Sequence, residues 1–152
     1  MTLKTQGIQY YLLDASDTGN EVRKIENVTS ITGVGGTAGT IEVTNFESVA
    51  KEFVTGLKDS GTVSFGLNYD PAATGQETLL GLVGGDNKNF IICGPESTTA
   101  PSYSSGFTYP PDRTYILFEA GVQGMPFDMN TDDVWRMNCT LLVSGDYTIV
   151  TP

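Results

Sequence analysis

Three oxygen-bearing side chains late in the sequence have the spacing of metal ligands. Asp128, Asn130 and Asp132 match the first three alternate ligand positions of a calcium-binding loop. Such a loop requires a glycine next and ends on a glutamate that binds calcium through both carboxylate oxygens. Asp133 stands where the glycine is needed, and Cys139 occupies the final position. We therefore predict a turn here and no metal site.

Two other segments invite similar chemistry. Asp14, Asp17 and Asn20 lie between two strand-like runs, and a hairpin turn is the better interpretation of their types and spacing. Residues 33–36 are rich in glycine but lack the Gly-Lys-Ser/Thr ending of a phosphate-binding loop, and no helix pattern follows them. We predict a flexible turn at 33–36.

The residue types needed for nucleophilic catalysis are missing. The chain has no histidine, which removes Ser-His-Asp and Cys-His arrangements and the commonest zinc ligand. Cys93 and Cys139 lie inside apolar strand patterns, so we expect buried free thiols. With one tryptophan and no aromatic-carboxylate cluster, a glycosidase is also disfavoured. The sequence predicts that the protein is not an enzyme and needs no cofactor or metal.

The composition favours one β-rich domain. The chain has 152 residues, with 39% hydrophobic residues, only 17% charged residues and 18 glycines. One domain of this length can bury a sizeable core, and low charge with many Gly, Thr, Val and Tyr residues favours strands. We predict a β-sandwich or barrel with one flanking helix.

The charge balance disfavours binding to nucleic acid. The net charge is −10, from 8 basic and 18 acidic residues, whereas phosphate recognition needs clustered Lys and Arg. An acidic surface serves solubility, and it would equally suit a conduit through which DNA slides without binding. The sequence shows neither a signal-peptide pattern nor an apolar run long enough for a membrane span. We expect folding in a reducing cytoplasm without membrane insertion.

Hydrophobic periodicity places the elements. Residues 62–69 alternate strictly between apolar and polar, as a half-buried strand does. In residues 134–143 the same alternation puts Trp135 on the core-facing side. Asp70 and Pro71 have the types of a helix N-cap and first helical position, and Gly84 and Gly85 those of a helix end. The predicted strands are 7–13, 22–31, 41–44, 62–69, 89–94, 113–123 and 134–143, the predicted helix lies between Pro71 and Gly84, and residues 95–111 are predicted to form a surface loop.

The excursion between two strands, at about residues 45–60, allows two interpretations. Its large apolar side chains recur every three or four residues, which is typical of an amphipathic helix packed on its own domain. Long excursions in small domains are usually functional, however, and this one would equally serve as an arm that reaches a neighbouring subunit. Its apolar positions are Phe46, Val49, Ala50, Phe53, Val54 and Leu57.

Four stretches in order carry a resemblance to a known family. IEVTNFES followed by GLKDSGTVSFGLNYDP, the opening MTLKTQGIQYYLL and the later PPDRTYILFEAGVQGMPFDM resemble the major tail tube proteins of long-tailed, non-contractile bacteriophages of the lambda type. The resemblance covers most of the chain. It implies a structural virion protein whose subunits form hexameric rings, join their sheets into a continuous barrel and stack into a hollow tube that delivers DNA.

The resemblance also implies partners and site residues. It implies identical copies, a tape-measure protein and other tail proteins as partners, transient passage of DNA without specific binding, and assembly in the bacterial cytoplasm. It favours a protruding hairpin arm over the helix at about 45–60. The predicted interface residues of the arm are Phe46, Glu47, Val49, Phe53, Val54, Leu57, Lys58 and Asp59.

The polar faces of the strands are candidates for the inner wall of such a tube, where side chains must be hydrophilic without gripping phosphate. Arg136 departs from a purely repulsive lining, and an adjacent glutamate would neutralise it. The predicted lumen-facing residues are Thr62, Ser64, Asn68, Glu119, Gln123, Arg136, Asn138 and Thr140.

A second interpretation is a β-sandwich binding module, either an adhesin or a carbohydrate-binding domain. The aromatic residues Tyr103, Phe107, Tyr109 and Trp135 would then provide stacking surfaces. The predicted burial of Trp135 argues against this interpretation.

Overall fold

The computed structural model of this protein describes residues 2–16 and 21–152. The predicted turn residues Asp17 and Asn20 therefore lie outside the described part. The strands are β1 Gln9–Leu13, β2 Val22–Ile25, β3 Val28–Thr32, β4 Thr37–Glu42, β5 Phe53–Asp59, β6 Thr62–Asn68, β7 Lys88–Cys93, β8 Ser102–Tyr103, β9 Phe107–Thr108, β10 Tyr115–Gly124, β11 Phe127–Asp128 and β12 Arg136–Val150, and the helix α1 is Thr74–Gly81.

One antiparallel sheet forms the body of the molecule, in the order β2-β1-β7-β10-β12-β6-β3, with β11 paired to β12. Its two end strands, β2 and β3, are separated in sequence only by Glu26 and Asn27. Because so short a connection spans no more than about 10 Å, the ends of the sheet must lie close together. The sheet is therefore rolled around its core, as expected for a mainly β sandwich or barrel with one helix.

The inward face of the rolled sheet carries the core. On β6, and on β12 as far as Val143, every second residue is buried, as period-two alternation requires. Asn27, between β2 and β3, has a φ of 59°, a left-handed conformation that Asn tolerates, and it turns the chain from one end of the sheet to the other. The buried core includes Leu12, Ile25, Val63, Phe65, Leu67, Leu79, Phe90, Phe118, Ala120, Met137, Cys139 and Leu141.

The helix closes one end of the core, and its start differs from the sequence prediction. α1 begins at Thr74 with Ala73 at the N-cap, whereas Asp70 accepts a hydrogen bond from the Ala72 backbone N–H in a preceding turn. The prediction of Asp70 as the N-cap was wrong, because an Asx turn satisfies its carboxylate locally. Gly75 packs so closely on β2 that a Cβ there would lie 2.0 Å from the Lys24 carbonyl oxygen.

A second apolar cluster lies on the outer face of β1 and β7. Tyr11, Leu13, Ile91 and Cys93 are buried there beneath Phe107 and Tyr109. The covering segment is the predicted surface loop, but it contains a small hairpin, β8 and β9, and is not irregular throughout. The strands β1, β7 and the first half of β10 are therefore covered on both faces.

Three strand predictions need correction. The predicted strand 22–31 is split into β2 and β3, which pair with opposite ends of the sheet. The predicted strand 41–44 corresponds to β4, which begins earlier, at Thr37, and ends at Glu42. The last strand runs on to Val150, because β10 offers it partners as far as Tyr115.

Candidate functional site

The excursion of the chain forms a hairpin that is separate from the main sheet. β4 and β5 pair only with each other, with Ile41 opposite Val54 and Glu42 opposite Phe53. We call residues 37–59 the arm. The helix suggested by the apolar spacing is wrong, because Phe53–Asp59 pairs with Thr37–Glu42 as a strand. The arm also begins earlier than the sequence indicated.

The arm exposes its large apolar side chains. Phe46 and Val49 are fully exposed, and Leu57 is 94% exposed. Ile41 and Val54 lie on one face of the hairpin and Phe53 on the other, and all three are about half exposed, so neither face is covered by the chain itself. A two-stranded hairpin with both faces in water is marginally stable, and an exposed apolar surface of this kind typically marks an interaction site.

Local hydrogen bonds shape the tip of the arm. The Asn45 side chain accepts from the Glu47 backbone N–H at 2.9 Å, and the Ser48 hydroxyl accepts from the Asn45 backbone N–H at 3.1 Å. The Thr44 hydroxyl accepts from the Glu52 backbone N–H at 2.9 Å. These turns hold the tip, residues 43–52, in a defined shape without any contact to the core.

The root of the arm is fixed to β12. Two extra residues bulge from β12 between Ser144 and Thr148, where Glu119 pairs with Ser144 and Leu117 with Thr148. The bulge brings Tyr147 to the root, and its hydroxyl donates to the Ser60 carbonyl oxygen at 3.1 Å. Burial raises the pKa of the Tyr147 hydroxyl, so it remains a donor at neutral pH.

An ion pair adds to this attachment. The Lys58 ammonium lies 2.6 Å from a carboxylate oxygen of Asp146. The hydrogen bonds from Lys58 and from the Tyr147 backbone N–H lower the pKa of the Asp146 carboxyl group. Both side chains are substantially exposed, so the pair orients the root more than it stabilises it.

The other predicted set lies on the outer face of β6, β12 and β10. Register pairs join Arg136 to Asn68 and Thr140 to Ser64, and all members of the set are exposed or half-buried. We call this surface the open polar face. It is continuous with the covered outer face of β7, and the Asn87 side chain approaches it at Gly121. Its residues are Thr62, Ser64, Asn68, Glu119, Gln123, Arg136, Asn138 and Thr140.

The charge on the open polar face is nearly balanced. Arg136 forms an ion pair with Asp133 at 3.1 Å, so an aspartate three residues earlier, and not a glutamate, is its partner. Leu142, opposite Thr62, is 49% exposed and is the one large apolar interruption among the β12 residues of this face. The face therefore presents mainly hydroxyl and amide groups.

A second exposed apolar surface lies where β6 ends and β12 begins. Tyr69, Phe127 and Trp135 form an aromatic cluster, with ring centroids 5.2–6.1 Å apart. Trp135 is 52% exposed, so its predicted burial was wrong: it precedes the first residue of β12 and lies beyond the end of the buried core, although its carbonyl oxygen still accepts from the Tyr69 backbone N–H at 2.8 Å. We call this surface the cap patch, and it comprises Tyr69, Pro71, Phe127, Met129, Val134 and Trp135.

The four aromatic residues of the binding-module interpretation fall into separate clusters. Tyr103 contacts Phe107, and Tyr109 contacts Tyr115, above the outer face of β7 and β10. Trp135 contacts Tyr69 and Phe127 in the cap patch. The four do not form one stacking platform.

The turn that resembles a calcium loop is held by its own side chains. The Asn130 amide donates to an Asp128 carboxylate oxygen at 3.3 Å. Within residues 2–16 and 21–152, no group of three or more His, Cys, Asp or Glu side chains is arranged to hold a metal ion. In the same residues no helix is both long enough and apolar enough to cross a membrane.

Sequence reasoning missed the cap patch and the root of the arm. The cap patch carries a signal in hindsight, since Phe127, Met129 and Val134 are large apolar residues within an otherwise polar turn. The root has none, because Ser60, Gly145 and Tyr147 are common residue types whose role depends on a contact across 85 or more positions.

Comparison with known proteins supplies the context for these surfaces. A family model described as phage tail tube, lambda-like, matches residues 1–151. "Structural protein 3" of Pseudomonas phage PAJU2 is 29% identical over 155 residues, covering 97% of this chain and 93% of the relative.

Solved structures share the fold at low sequence identity. The tail of an empty gene transfer agent particle, refined with C6 symmetry, superposes with a TM-score of 0.67 at 13% identity and covers 99% of this chain and 100% of that one. The SPP1 tail tube superposes with a TM-score of 0.64 at 9% identity and covers 99% of this chain and 80% of that one.

Proposed function

The chain belongs to the lambda-like phage tail tube family, and from that membership we propose that its copies form hexameric rings that stack into a hollow conduit for DNA delivery. The protein is a structural subunit of a phage tail, not an enzyme. The tube fold is shared with the tail tube structures that superpose on it. The number of copies, the stacking and the passage of DNA are the proposed part.

The single observation that carries the proposal is the unpartnered arm. Moving a Phe, Val or Leu side chain out of water is worth about 1.5–3 kcal/mol, and the isolated chain leaves Phe46, Val49 and Leu57 in water. Association that covers the arm recovers this free energy. The arm residues Glu47, Phe53, Val54, Lys58 and Asp59 would then lie at or beside the contact with a neighbouring copy.

Open strand edges supply a second driving force. β2 and β3 each end the path of the main sheet, and β4 and β5 pair only with each other. Unpaired N–H and C=O groups on such edges favour pairing with another chain. Pairing between copies would join the sheets into a barrel around the tube. The C6 symmetry stated for the gene transfer agent tail supports six copies in each ring.

The open polar face is the proposed wall of the channel. Hydroxyl and amide groups keep such a wall wet, and the pairing of Arg136 with Asp133 leaves little free positive charge to bind phosphate. The net charge of −10 further disfavours adhesion of DNA to the tube. We propose that a tape-measure protein occupies the channel during assembly in the bacterial cytoplasm and that DNA replaces it.

Electron microscopy of the purified protein tests this proposal. Negative-stain images and size-exclusion profiles taken over a range of protein concentrations should show rings or hollow tubes. Phe46→Ser together with Phe53→Ser should abolish assembly while the circular dichroism spectrum and the unfolding transition stay close to those of the parent. Val83→Ser, which removes another exposed apolar side chain outside the arm, is the matched control and should still assemble.

A monomer at every concentration would contradict the proposal. Binding of that monomer to a glycan array would favour the binding-module interpretation instead. Tubes that form equally well from the double serine variant would remove the arm from the assembly mechanism.

A further inference from the structure

The arm and the cap patch both expose large apolar side chains, and they lie at opposite ends of one strand. The root of the arm, at Ser60, lies two residues before β6, and Tyr69 of the cap patch immediately follows β6. Six residue steps of extended chain separate the ends of β6, or roughly 20 Å. The barrel body therefore carries one apolar surface at each end.

We propose that the tip of the arm of one copy docks into the cap patch of the next copy, with Phe46 as the inserted side chain. This inference rests on the proposed function and names the surface that receives the arm. The occupant of the cap patch is a second copy of this chain, and its contacting segment is the tip, residues 43–52.

The cap patch has the shape and chemistry of an aromatic receptor. Tyr69, Pro71, Val134 and Trp135 line an open cavity of about 420 Å³ beside Asp133. Tyr69 and Trp135 stack with their ring planes 17° apart, and Phe127 meets both edge-on. Aromatic rings favour such tilted and offset neighbours. The Phe46 ring of another copy would therefore find both a cavity and favourable aromatic neighbours in the cap patch.

The tip has a matching form. Phe46 and Val49 are fully exposed on a turn that the Asn45 and Ser48 side chains hold in shape. A preformed turn loses little conformational entropy when it docks. Aromatic side chains that enter a pocket at the centre of an interface contribute most to binding.

Charge restricts how the tip can dock. The tip carries two carboxylates, Glu47 and Glu52, and one cation, Lys51, while Asp133 borders the cavity of the cap patch. Docking with Lys51 turned toward this acidic border and Glu47 turned away from it avoids contact between like charges.

The symmetry of the contact fits a growing tube. Because the tip and the cap patch are different surfaces, their contact is head-to-tail, and each copy that docks still offers a free surface at its other end. Head-to-tail contacts close into a ring or continue as an open stack, and surfaces at opposite ends of the barrel body favour the stack. The arm thus supplies a connection along the tube axis.

Disulfide trapping identifies the occupant. Cys93 and Cys139 are buried, so thiols introduced at Phe46→Cys and Trp135→Cys are the accessible ones. In the double variant each copy carries one tip thiol and one patch thiol, and mild oxidation should give a ladder of linked oligomers on a non-reducing gel. The control pair, Leu57→Cys with Trp135→Cys, places the first thiol near the root and should give at least tenfold less product.

Tryptophan fluorescence tests the parent protein directly. Trp135 is the only tryptophan in the chain. Its emission should shift to shorter wavelength, and quenching by acrylamide should fall several-fold, as tubes form. If the double cysteine variant does not assemble, protection of Trp135 in parent tubes supports the inference, and an unprotected Trp135 overturns it.

The outcomes separate the inference from the proposed function. Tubes that give no ladder, or an equal ladder with the control pair, overturn the docking of the tip into the cap patch while the tube proposal stands. Absence of rings and tubes in the parent protein removes both.

Discussion

The Tyr147 hydroxyl donates a hydrogen bond to the Ser60 carbonyl oxygen over 3.1 Å, and this contact joins the β12 bulge to the root of the arm. The Tyr147 ring also packs on Phe118 in the core, with the ring centroids 5.4 Å apart. One side chain therefore connects the core of the barrel to the segment that reaches outward. The direction of the arm is set at this point.

Tyr147→Phe should loosen the root without disturbing the core. It keeps the ring contact with Phe118 but removes the hydroxyl, so the free energy of unfolding should fall by only about 0.5–1.5 kcal/mol. Amide hydrogen exchange in Phe53–Asp59 should accelerate more than in Thr62–Asn68. Tyr109→Phe, whose ring packs on Tyr115 far from the arm, is the control. Unchanged exchange in the arm would contradict the role of Tyr147.

Gln76→Ala should destabilise the whole barrel. The buried Gln76 amide donates to the carbonyl oxygens of Glu26 at 3.0 Å and Asn68 at 2.9 Å, and its oxygen accepts from the Asp70 backbone N–H at 2.9 Å. Truncation leaves these buried backbone groups unpaired, at about 1–3 kcal/mol for each buried group. Urea unfolding should show a large loss for Gln76→Ala and little change for the exposed neighbour Glu77→Ala. Equal effects of the two would refute the prediction.

Arg113→Lys should release the segment after β7. The fully buried guanidinium of Arg113 donates to the carbonyl oxygens of Gly94 and Thr99 and to the Gln9 side chain. A lysine ammonium lacks the planar fork that reaches all three. We expect a loss of about 1.5–3 kcal/mol in unfolding free energy and faster proteolysis within residues 95–111.

Arg136→Lys is the matched control for that substitution. Arg136 is exposed, and in the described part of the chain its guanidinium pairs with the Asp133 carboxylate. Its replacement should leave both the unfolding free energy and the proteolysis pattern unchanged. If residues 95–111 resist the protease in Arg113→Lys as well as they do in the parent protein, the loop does not depend on the guanidinium.

Stability should fall in alkaline solution because two thiols are buried. Burial raises the pKa of Cys139 to about 12 and that of Cys93 to about 11, from an ordinary value of 9.0. Below pH 9 both thiols are protonated in both states, so their contribution is complete. As pH rises above 9 the unfolded chain loses these protons first, and the contribution disappears by pH 11 for Cys93 and pH 12 for Cys139.

Urea unfolding at pH 8 and pH 10.5 measures this effect. At pH 10.5 the Cys139 thiol alone should cost about 2 kcal/mol of unfolding free energy. Cys139→Val removes the titrating group, so it should lose less stability between the two pH values than the parent does. An equal loss in both proteins would show that Cys139 does not titrate on unfolding.

Local patterns predicted much of the sheet. The alternation in residues 62–69 and 134–143 correctly placed Val63, Phe65, Met137 and Cys139 in the core. Alternation works there because one face of each strand meets the core and the other does not. The predicted helix agrees with α1 to within a few residues. Its start was predicted wrongly, because the Asp70 carboxylate accepts a hydrogen bond in the preceding turn and does not cap the helix.

The same reasoning predicted the burial of Trp135 wrongly, because this residue lies at the end of a strand. It continues the apolar alternation of β12 but lies one residue before the strand starts. The Tyr69 backbone N–H still donates to the Trp135 carbonyl oxygen there, but the ring lies beyond the last buried residue of β12, Met137, and stacks on Tyr69. The result is an exposed ring in the cap patch, where burial was predicted.

The sequence by itself determined a mainly β chain, with half-buried strands, no histidine chemistry and the ordered segments of a tail tube subunit. Only the tertiary structure decided that the hairpin of the arm is built from Thr37–Glu42 and Phe53–Asp59, that Arg113 is buried among carbonyl oxygens and that the cap patch lies at the far end of β6 from the arm. The physical reason is the range of the interactions. Burial in a strand alternates between neighbouring residues, so a short stretch of sequence is enough to predict it. Distant parts of the chain must come together for the other features: the pairing of β4 with β5, the contacts of Arg113 and the placement of the two apolar surfaces.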